Sequence, residues 1–194
     1  MARQLEHFPN LVAMFFARAA EKGDSPFLWA KKNGEWRSTS WREAAETVAS
    51  LSAALKDIGL KPGDGVMLVS ENRPEWCIAD LAIMAAGCVT VPTYTTNTER
   101  DHQHILDDSG ARAVIVSSQK LAKPLLPAVL RSSACEHVIG IEPLSVGQSG
   151  TAHFHDWKSL IGRHAPDVAP CAAGAPFRRA GAGASCFVPR VRAG

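Results

Sequence analysis

The sequence predicts an α/β domain in which a mostly parallel sheet is flanked by helices and preceded by a β-hairpin. Short apolar runs that suit buried strands alternate with segments of helical periodicity. The clearest unit is Gly65–Asn97, where the runs Val66–Val69 and Cys88–Val91 flank an almost wholly apolar helix. A strand, a crossover helix and a second strand form a right-handed parallel unit. The loop after such a strand is the usual ligand-binding position in α/β proteins.

The residues before this unit predict a helix, a hairpin and a second helix. Leu11–Lys22 has the apolar spacing of an amphipathic helix. Two strand-like runs then flank Asn33-Gly34, a dipeptide typical of a tight hairpin turn. Ser40 and Glu43 have the spacing of a capping box at the start of a helix that ends at Gly59.

The residues after the unit continue the alternation of helices and strands. In chain order the pattern predicts helix Thr98–Asp108, strand Ala113–Val116, helix Lys120–Leu130, strand His137–Ile141 and helix Asp156–Arg163. Pro124 and Pro127 are expected to divide the second of these helices into two short pieces. Ser145–Thr151 is predicted to be a loop.

The C-terminal segment differs in composition from the rest of the chain. Ala, Gly, Arg and Pro account for 18 of the 25 residues from Pro170 to Gly194, with no acidic residue and no periodicity. Such a segment has little apolar surface to bury and is expected to be disordered. The chain is therefore divided into an α/β domain at 1–168 and a disordered tail at 169–194.

The overall composition is typical of a globular domain and gives no indication of a nucleic-acid partner. Hydrophobic residues make up 46% of the chain and charged residues 21%, which are ordinary globular values. The formal charge of +2 gives no sign of a nucleic-acid partner.

The five cysteines form no C-x-x-C pair, which disfavours a zinc site or a disulfide framework and favours a reducing, cytoplasmic compartment. No apolar run reaches the length of a membrane span.

Motifs for several other chemistries are absent or weak. SENRPEW stands where a nicotinamide-dependent oxidoreductase needs G-x-G-x-x-G, so that class is disfavoured. Gly147–Thr151 is interpreted as a turn rather than a phosphate loop, because no Lys follows closely. Neither pair of neighbouring histidines is assigned as a metal site. His102 and His104 would face different sides of a helix, and His153 and His155, even in an extended segment, lack a third ligand of clear spacing.

The loop Tyr94–Asn97 is the best ligand-contact candidate by position. It follows the end of a strand and carries hydroxyl groups and an amide. The alternative interpretation, which spacing alone slightly favours, is a polar loop that caps the helix beginning at Thr98.

Several stretches of the chain resemble the N-terminal region of AMP-forming acyl-CoA synthetases, which belong to the adenylate-forming superfamily. The most specific are Thr39-Ser40-Trp41-x-Glu43, GLKPGDGV, SENRPEW, and AAGCVTVPTYTTNT with the later HILDDSGARAVIV. The resemblance spans about Phe8 to Ala165, and VPTYTTNT is most similar to the long- or medium-chain fatty acyl branch. The implied fold is the N-terminal subdomain of the adenylate-forming fold.

The resemblance implies an activity, cofactors and site residues. Members of this family use ATP and Mg²⁺ to convert a fatty acid to an acyl-adenylate, and coenzyme A then takes the acyl group as a thioester. It implies a role in fatty acid metabolism, without specifying chain length, and leaves peripheral membrane association open. The pantetheine arm of coenzyme A passes near the loop after the second strand of the unit. That path maps onto Tyr94, Thr95 and Thr96.

The family's phosphate-binding loop is not found in its usual form. A stretch of the form Y-T-S-G-T-T-G-x-P-K-G is expected near Ala169, where the Ala/Gly/Arg/Pro tail stands instead. No catalytic or metal-binding residue is therefore assigned. Residues 1–168 are interpreted as a partial AMP-binding domain that is inactive alone, and the tail as a frameshift product. The alternative is a noncatalytic binding module that reuses the subdomain.

Overall fold

The structure, a computed structural model, describes residues 7–145 and 152–172. Its elements in chain order are α1 Leu11–Lys22, β1 Pro26–Lys32, β2 Glu35–Ser40, α2 Trp41–Asp57, β3 Gly65–Val69, α3 Pro74–Ala85, β4 Val89–Pro92, α4 Glu99–Ser109, β5 Ala113–Val116, α5 Gln119–Arg131, β6 His137–Gly140, β7 His153–Asp156, α6 Trp157–Ile161 and α7 Ala169–Ala172. None of the helices in these described ranges is long and apolar enough to cross a membrane.

The main sheet has five parallel strands in the order β4-β3-β5-β6-β7. Strands β3, β5 and β6 are buried on both faces, which explains why they are continuous apolar runs rather than alternating ones. One face packs on α1, α2, α3, α6 and α7, and the other packs on α4 and α5. The predicted α/β class, with a parallel sheet flanked by helices, is confirmed.

The predicted hairpin forms a separate two-stranded antiparallel sheet from β1 and β2. Asn33 and Gly34 both have positive φ, 52° and 87°, as a two-residue turn of this handedness requires. Aromatic contacts anchor the base of the hairpin to the helical layer, since the ring centroids of Phe27 and Trp41 lie 3.8 Å apart and Phe15 lies 5.8 Å from Phe27.

Reciprocal side-chain caps fix the starts of two helices. At α2 the Ser40 hydroxyl accepts from the Glu43 amide, and the Glu43 carboxylate accepts from the Ser40 amide. Thr98 and Asp101 make the same pair of bonds at α4. These caps satisfy backbone donors that a helix start leaves unpaired. The caps therefore fix the residue at which each of these two helices begins.

The structure differs from the predicted division of the Lys120–Leu130 helix. α5 is one helix that continues through Pro124 and Pro127. Each internal proline removes a backbone hydrogen bond at a cost of about 3 kcal/mol. The apolar face of α5, which includes the buried Leu121, Leu125 and Val129, packs against the sheet and α4 and offsets that cost.

Two further differences occur near the C-terminus. β7 forms a parallel edge strand beside β6, although no strand is predicted there. The first four residues of the segment expected to be disordered, Ala169–Ala172, instead form α7, and Cys171 is buried in the core beside α1. The remainder of that segment, 173–194, lies outside the described residues, as does 146–151 of the predicted Ser145–Thr151 loop.

Candidate ligand-binding edge

The carboxyl ends of the parallel strands bring polar side chains from distant parts of the chain to one edge of the sheet, called here the carboxyl edge. Ser70–Arg73 follows β3, Thr93–Asn97 follows β4, Ser117 follows β5 and Glu142 lies two residues beyond β6. All these strands run in the same direction, so their C-terminal residues lie at the same edge. This is the edge at which open α/β sheets bind ligands.

Arg73 is the centre of an ion-pair network at the carboxyl edge. Its Nε lies 2.9 Å from Glu75 Oε2, and its Nη1 lies 2.7 Å from Glu142 Oε1 and 3.7 Å from Glu71 Oε1. Arg73 is the N-cap residue of α3 and has extended backbone there. Glu75 lies in the first turn of α3, where the helix dipole also favours a carboxylate.

A buried serine links this network to the central strand of the sheet. Ser117, at the end of β5, is fully buried and donates its hydroxyl hydrogen to Glu71 Oε2. The Ser117 amide also donates to the Val69 carbonyl, 3.0 Å away, and so extends the β3–β5 ladder by one bond. One carboxylate oxygen of Glu71 therefore accepts a hydrogen bond from Ser117 at the end of β5, and the other lies near the Arg73 guanidinium.

The network favours ionised carboxylates. Burial by itself raises the pKa of Glu75, but hydrogen bonds from Arg73 and from the backbone outweigh it, and the resulting pKa lies below the ordinary value. Burial likewise raises the pKa of Glu71, but hydrogen bonds from the Ser117 hydroxyl and from a backbone amide outweigh burial, and the resulting pKa lies below the ordinary value. The pKa of the Arg73 guanidinium is raised by its hydrogen bond to Glu75. The carboxyl edge therefore carries fixed, paired charges at neutral pH.

A groove of about 740 Å³ separates this network from the hairpin. Its apolar wall is aromatic, with Trp29 and Trp36 from the hairpin and Trp76 from α3. Its polar wall includes Arg73 and Glu142. Trp29 and Trp36 are 56% and 67% exposed, which is unusual for the largest apolar side chain. A groove with aromatic and paired ionic walls can bind a partner that is partly apolar.

The predicted contact residues Tyr94, Thr95 and Thr96 lie in the loop between β4 and α4. All three are exposed, and Tyr94 is 74% exposed. The Asn97 amide donates to the Tyr94 carbonyl across 3.3 Å, which makes this loop a turn just before the Thr98 cap of α4. The described residues that line the Trp29–Arg73 groove do not include these three, so the two features are separate parts of the carboxyl edge.

The residues of the Arg73 network are not identified by the sequence reasoning. SENRPEW includes three of them, Glu71, Arg73 and Glu75, and its position after a strand was the available signal. Glu142 and Ser117 belong to other strand ends and carry no motif of their own. Only the order of strands in the sheet brings Glu142 to Arg73 and Ser117 to Glu71.

The histidine pairs occupy different settings. His102 is buried in α4 and His104 is exposed, so they face different sides as expected. His153 and His155 lie in β7, and His137 of the adjacent β6 has its Nδ1 3.1 Å from His155 Nε2. Within 7–145 and 152–172, no three His, Cys, Asp or Glu side chains are placed to hold a metal ion.

The cysteines of the described ranges are free thiols: Cys77, Cys88, Cys135 and Cys171. Burial raises the pKa of Cys88 and of Cys135 to about 11, so neither is a thiolate at neutral pH. These two side chains contribute to packing rather than to nucleophilic chemistry.

Comparison with known proteins gives consistent matches. The sequence model of a family described as AMP-binding enzyme matches residues 15–174. The long-chain-fatty-acid–CoA ligase FadD15 of Mycobacterium tuberculosis is 35% identical over 102 residues, which are 53% of this chain and 17% of that protein. The human mitochondrial acyl-coenzyme A synthetase ACSM3 is 29% identical over 156 residues, which are 79% of this chain and 25% of that protein.

A solved structure with the same fold is that of a benzoate CoA ligase from Burkholderia xenovorans LB400. The superposition has a TM-score of 0.67 at 27% sequence identity and covers 81% of this chain and 29% of that one. The present chain thus spans between about a sixth and a third of the length of these three relatives.

Proposed function

The chain belongs to the family of AMP-binding enzymes, and we propose that it is the N-terminal α/β part of an AMP-forming acyl-CoA synthetase that acts on fatty acids. The observation that carries this proposal is that the curated relatives and the solved structure described above are all CoA ligases or acyl-CoA synthetases. The name of the FadD15 relative supports a long-chain fatty acid, within the long- or medium-chain range that the VPTYTTNT motif suggests. They support a ligase over a noncatalytic binding module.

The proposed reaction has two steps. The fatty acid carboxylate attacks the α-phosphorus of ATP, which forms an acyl-adenylate and releases pyrophosphate. The thiol of coenzyme A then attacks the acyl carbonyl, which forms the thioester and releases AMP. A carboxylate is a poor acyl donor, and the adenylate provides the leaving group that the thiol attack requires.

In this reaction the chain provides the support for the carboxyl edge and a contact surface for coenzyme A. Tyr94, Thr95 and Thr96 are exposed in a turn that the Thr98 cap and β4 hold at both ends. Their hydroxyl groups can bond the amides of the pantetheine arm, and the Tyr94 ring can pack against its apolar part. The Arg73 network keeps the neighbouring strand ends in place.

The described residues do not fit Mg²⁺–ATP. The carboxylates at the carboxyl edge are paired with Arg73, and no three potential metal ligands converge within the described ranges. The printed sequence has no Gly/Ser/Thr-rich loop with a following Lys of the form Y-T-S-G-T-T-G-x-P-K-G. We therefore assign no step of the phosphate chemistry to this chain, and we propose that the 194-residue polypeptide alone is inactive.

We also propose a domain division, an origin for the C-terminal tail and a cellular location. The partial AMP-binding domain, predicted at 1–168, continues through α7 in the structure, so we propose that only the segment beyond α7 is encoded out of frame. Sequencing through the downstream DNA tests this origin, because a Y-T-S-G-T-like stretch should occur in one of the other two frames. We place the protein in the cytoplasm, a reducing compartment, because its described cysteines are free thiols.

Titration of the chain with coenzyme A tests the assigned contact surface. Tyr94 is the only tyrosine in the chain, so its ring resonances are unique in a proton NMR spectrum. We expect coenzyme A to shift the Tyr94 ring signals and the Thr95 and Thr96 amides. AMP, which lacks pantetheine, is the matched control ligand and should leave them in place. Unchanged signals at millimolar coenzyme A would contradict the assignment of these three residues.

A further inference from the structure

Three histidine rings stack on one side of the edge formed by β6 and β7. His137 and His153 are register partners, and their ring centroids lie 5.6 Å apart with the planes inclined by 30°. His155 lies two residues beyond His153 on the same side of β7, with its centroid 5.3 Å from that of His137. His137 is buried, His155 is half-buried and His153 is exposed. The cluster therefore extends from the core to solvent.

The contact between His137 and His155 depends on protonation. His137 Nδ1 and His155 Nε2 are 3.1 Å apart, a hydrogen-bond distance. One of these nitrogens must carry a lone pair, because a ring nitrogen that bears a proton can only donate. If both rings become imidazolium, both nitrogens donate, the bond is lost and two positive charges face each other. The arrangement is thus stable only while at least one ring is neutral.

The surroundings offer little compensation for added positive charge. Glu136 Oε2 is 4.0 Å from His137 Nε2, but the same oxygen accepts a 2.6 Å hydrogen bond from Arg112. Arg112 and Arg163 add positive potential at His137 and His155 respectively. On the adjoining helix end, Asp57 pairs with His164 at 3.7 Å. Asp64 Oδ2 lies 3.2 Å from Arg112 Nη1 and offsets part of that arginine's charge, and a backbone hydrogen bond with Ile58 also favours protonated His137. Glu136 is thus shared between His137 and Arg112, while His155 lies near Arg163.

β7 is the strand that this charge would affect most. Among the strands of the described residues it lies at the edge and is hydrogen-bonded to β6 alone. Its first ladder bond runs from the His153 amide to the Glu136 carbonyl at 2.8 Å. α6 follows without a loop, capped by Asp156, and buries Trp157 and Leu160 against α2. Release of β7 would therefore also loosen α6.

We propose that β7 and α6 form an acid-sensitive latch, docked on β6 while the histidine cluster is neutral and released when His137 and His155 both take up protons. Burial and the neighbouring positive groups lower the pKa of both rings in the folded protein, which agrees with this assignment. An unfolded histidine has a pKa of about 6.5, so the undocked segment binds protons more readily, and the latch opens as the pH falls below that value.

Amide hydrogen exchange of the intact chain tests the latch. The protection factors of the β7 amides, corrected for intrinsic exchange rates, would be measured at pH 7.5 and pH 5.5. The readout is the ratio of β7 protection to β5 protection at each pH. We expect the ratio for wild type to fall severalfold between pH 7.5 and pH 5.5, because the undocked segment binds more protons than the docked one. His155→Phe keeps a ring without a titratable nitrogen and should weaken the pH response, because only the burial of His137 then opposes protonation. His104→Gln, on the exposed face of α4, is the matched control and should behave as wild type.

Two results would overturn the proposal. One is an equal β7 ratio at both pH values in wild type. The other is a full pH response in a folded His155→Phe variant, since the response would then not depend on the cluster. If His155→Phe does not fold, His137→Gln provides the same comparison from the other strand. A full pH response in both variants, when both fold, would likewise overturn the proposal.

Discussion

Arg73 Nη1 lies 2.7 Å from Glu142 Oε1, although the two residues are 69 positions apart in the chain. The contact joins the loop after β3 to the end of β6, across the intervening strand β5. Glu71 and Ser117 add a second link, between β3 and β5. The carboxyl edge is thus held by side chains as well as by the backbone ladder, which gives a ligand-binding edge fixed geometry.

Removal of the arginine should cost more stability than removal of its more exposed partner. Arg73→Met leaves Glu75, whose side chain is 22% exposed, without its hydrogen-bond donor, and should lower the free energy of unfolding by about 2 kcal/mol. Glu142 is 50% exposed, so Glu142→Gln should cost about 0.5 kcal/mol. Urea unfolding of both variants measures the difference. Equal losses would show that Arg73 is not the centre of the network.

The acid limb of the stability curve should depend on Glu75. Its pKa in the folded protein is lowered, so the folded state binds fewer protons than the unfolded state as the pH falls below the unfolded value of about 4.3. This contribution is complete above that pH and is lost as the pH falls through the folded pKa. Glu75→Gln should therefore flatten the fall in stability between about pH 5 and pH 3. Asp108→Asn, at the exposed end of α4, is the matched control, and a slope unchanged by Glu75→Gln would contradict the expectation.

Gly140 should tolerate no side chain. A Cβ at this position, the last residue of β6, would lie 2.7 Å from the Glu142 carbonyl oxygen and 2.7 Å from Leu144 Cγ. Gly140→Ala should therefore displace the backbone that carries Glu142 and destabilise the fold by about 2 kcal/mol. At Gly65, the start of β3, the nearest atom would be Ala111 Cα at 3.3 Å, so Gly65→Ala should cost less. Thermal unfolding of both variants checks this order, and a reversed order would refute it.

The 194-residue chain should show no adenylation activity by itself. ATP–pyrophosphate exchange with hexadecanoate or decanoate should stay at the level without enzyme, because the phosphate-binding loop of the family is not found in the printed sequence. Exchange that requires both ATP and the fatty acid would show that residues of this chain do bind and activate the substrates. In that case, truncation of residues 173–194, which leaves α7 intact, would show whether the tail contributes to the activity.

Local chemistry made much of the fold predictable from sequence. Asn33-Gly34, the Ser40–Glu43 pair and the Thr98–Asp101 pair each specify a turn or a helix start through bonds between near neighbours. The long apolar helix α3 and the strands beside it are equally local patterns. These elements occur where the sequence indicates them.

The features that sequence reasoning missed depend on tertiary contacts. β7 has only four residues, His153–Asp156, and its strand pairing follows from the docking of α6 rather than from propensity. α5 remains one helix because burial of its apolar face outweighs Pro124 and Pro127. Glu142 reaches Arg73 only through the strand order of the sheet. The exposure of the Tyr94–Thr96 loop agrees with its expected role, which stays a prediction.

A chimeric enzyme tests the central proposal most directly. Residues 8–165 of this chain would replace the matching N-terminal segment of the FadD15 ligase, which is 35% identical over 102 residues, and formation of fatty acyl-CoA would be measured. The proposal predicts thioester formation that requires ATP and coenzyme A, with Tyr94→Ala raising the KM for coenzyme A while ATP–pyrophosphate exchange is unchanged. A chimera that unfolds cooperatively at the temperature of the parent ligase, yet forms neither acyl-adenylate nor thioester, would contradict it.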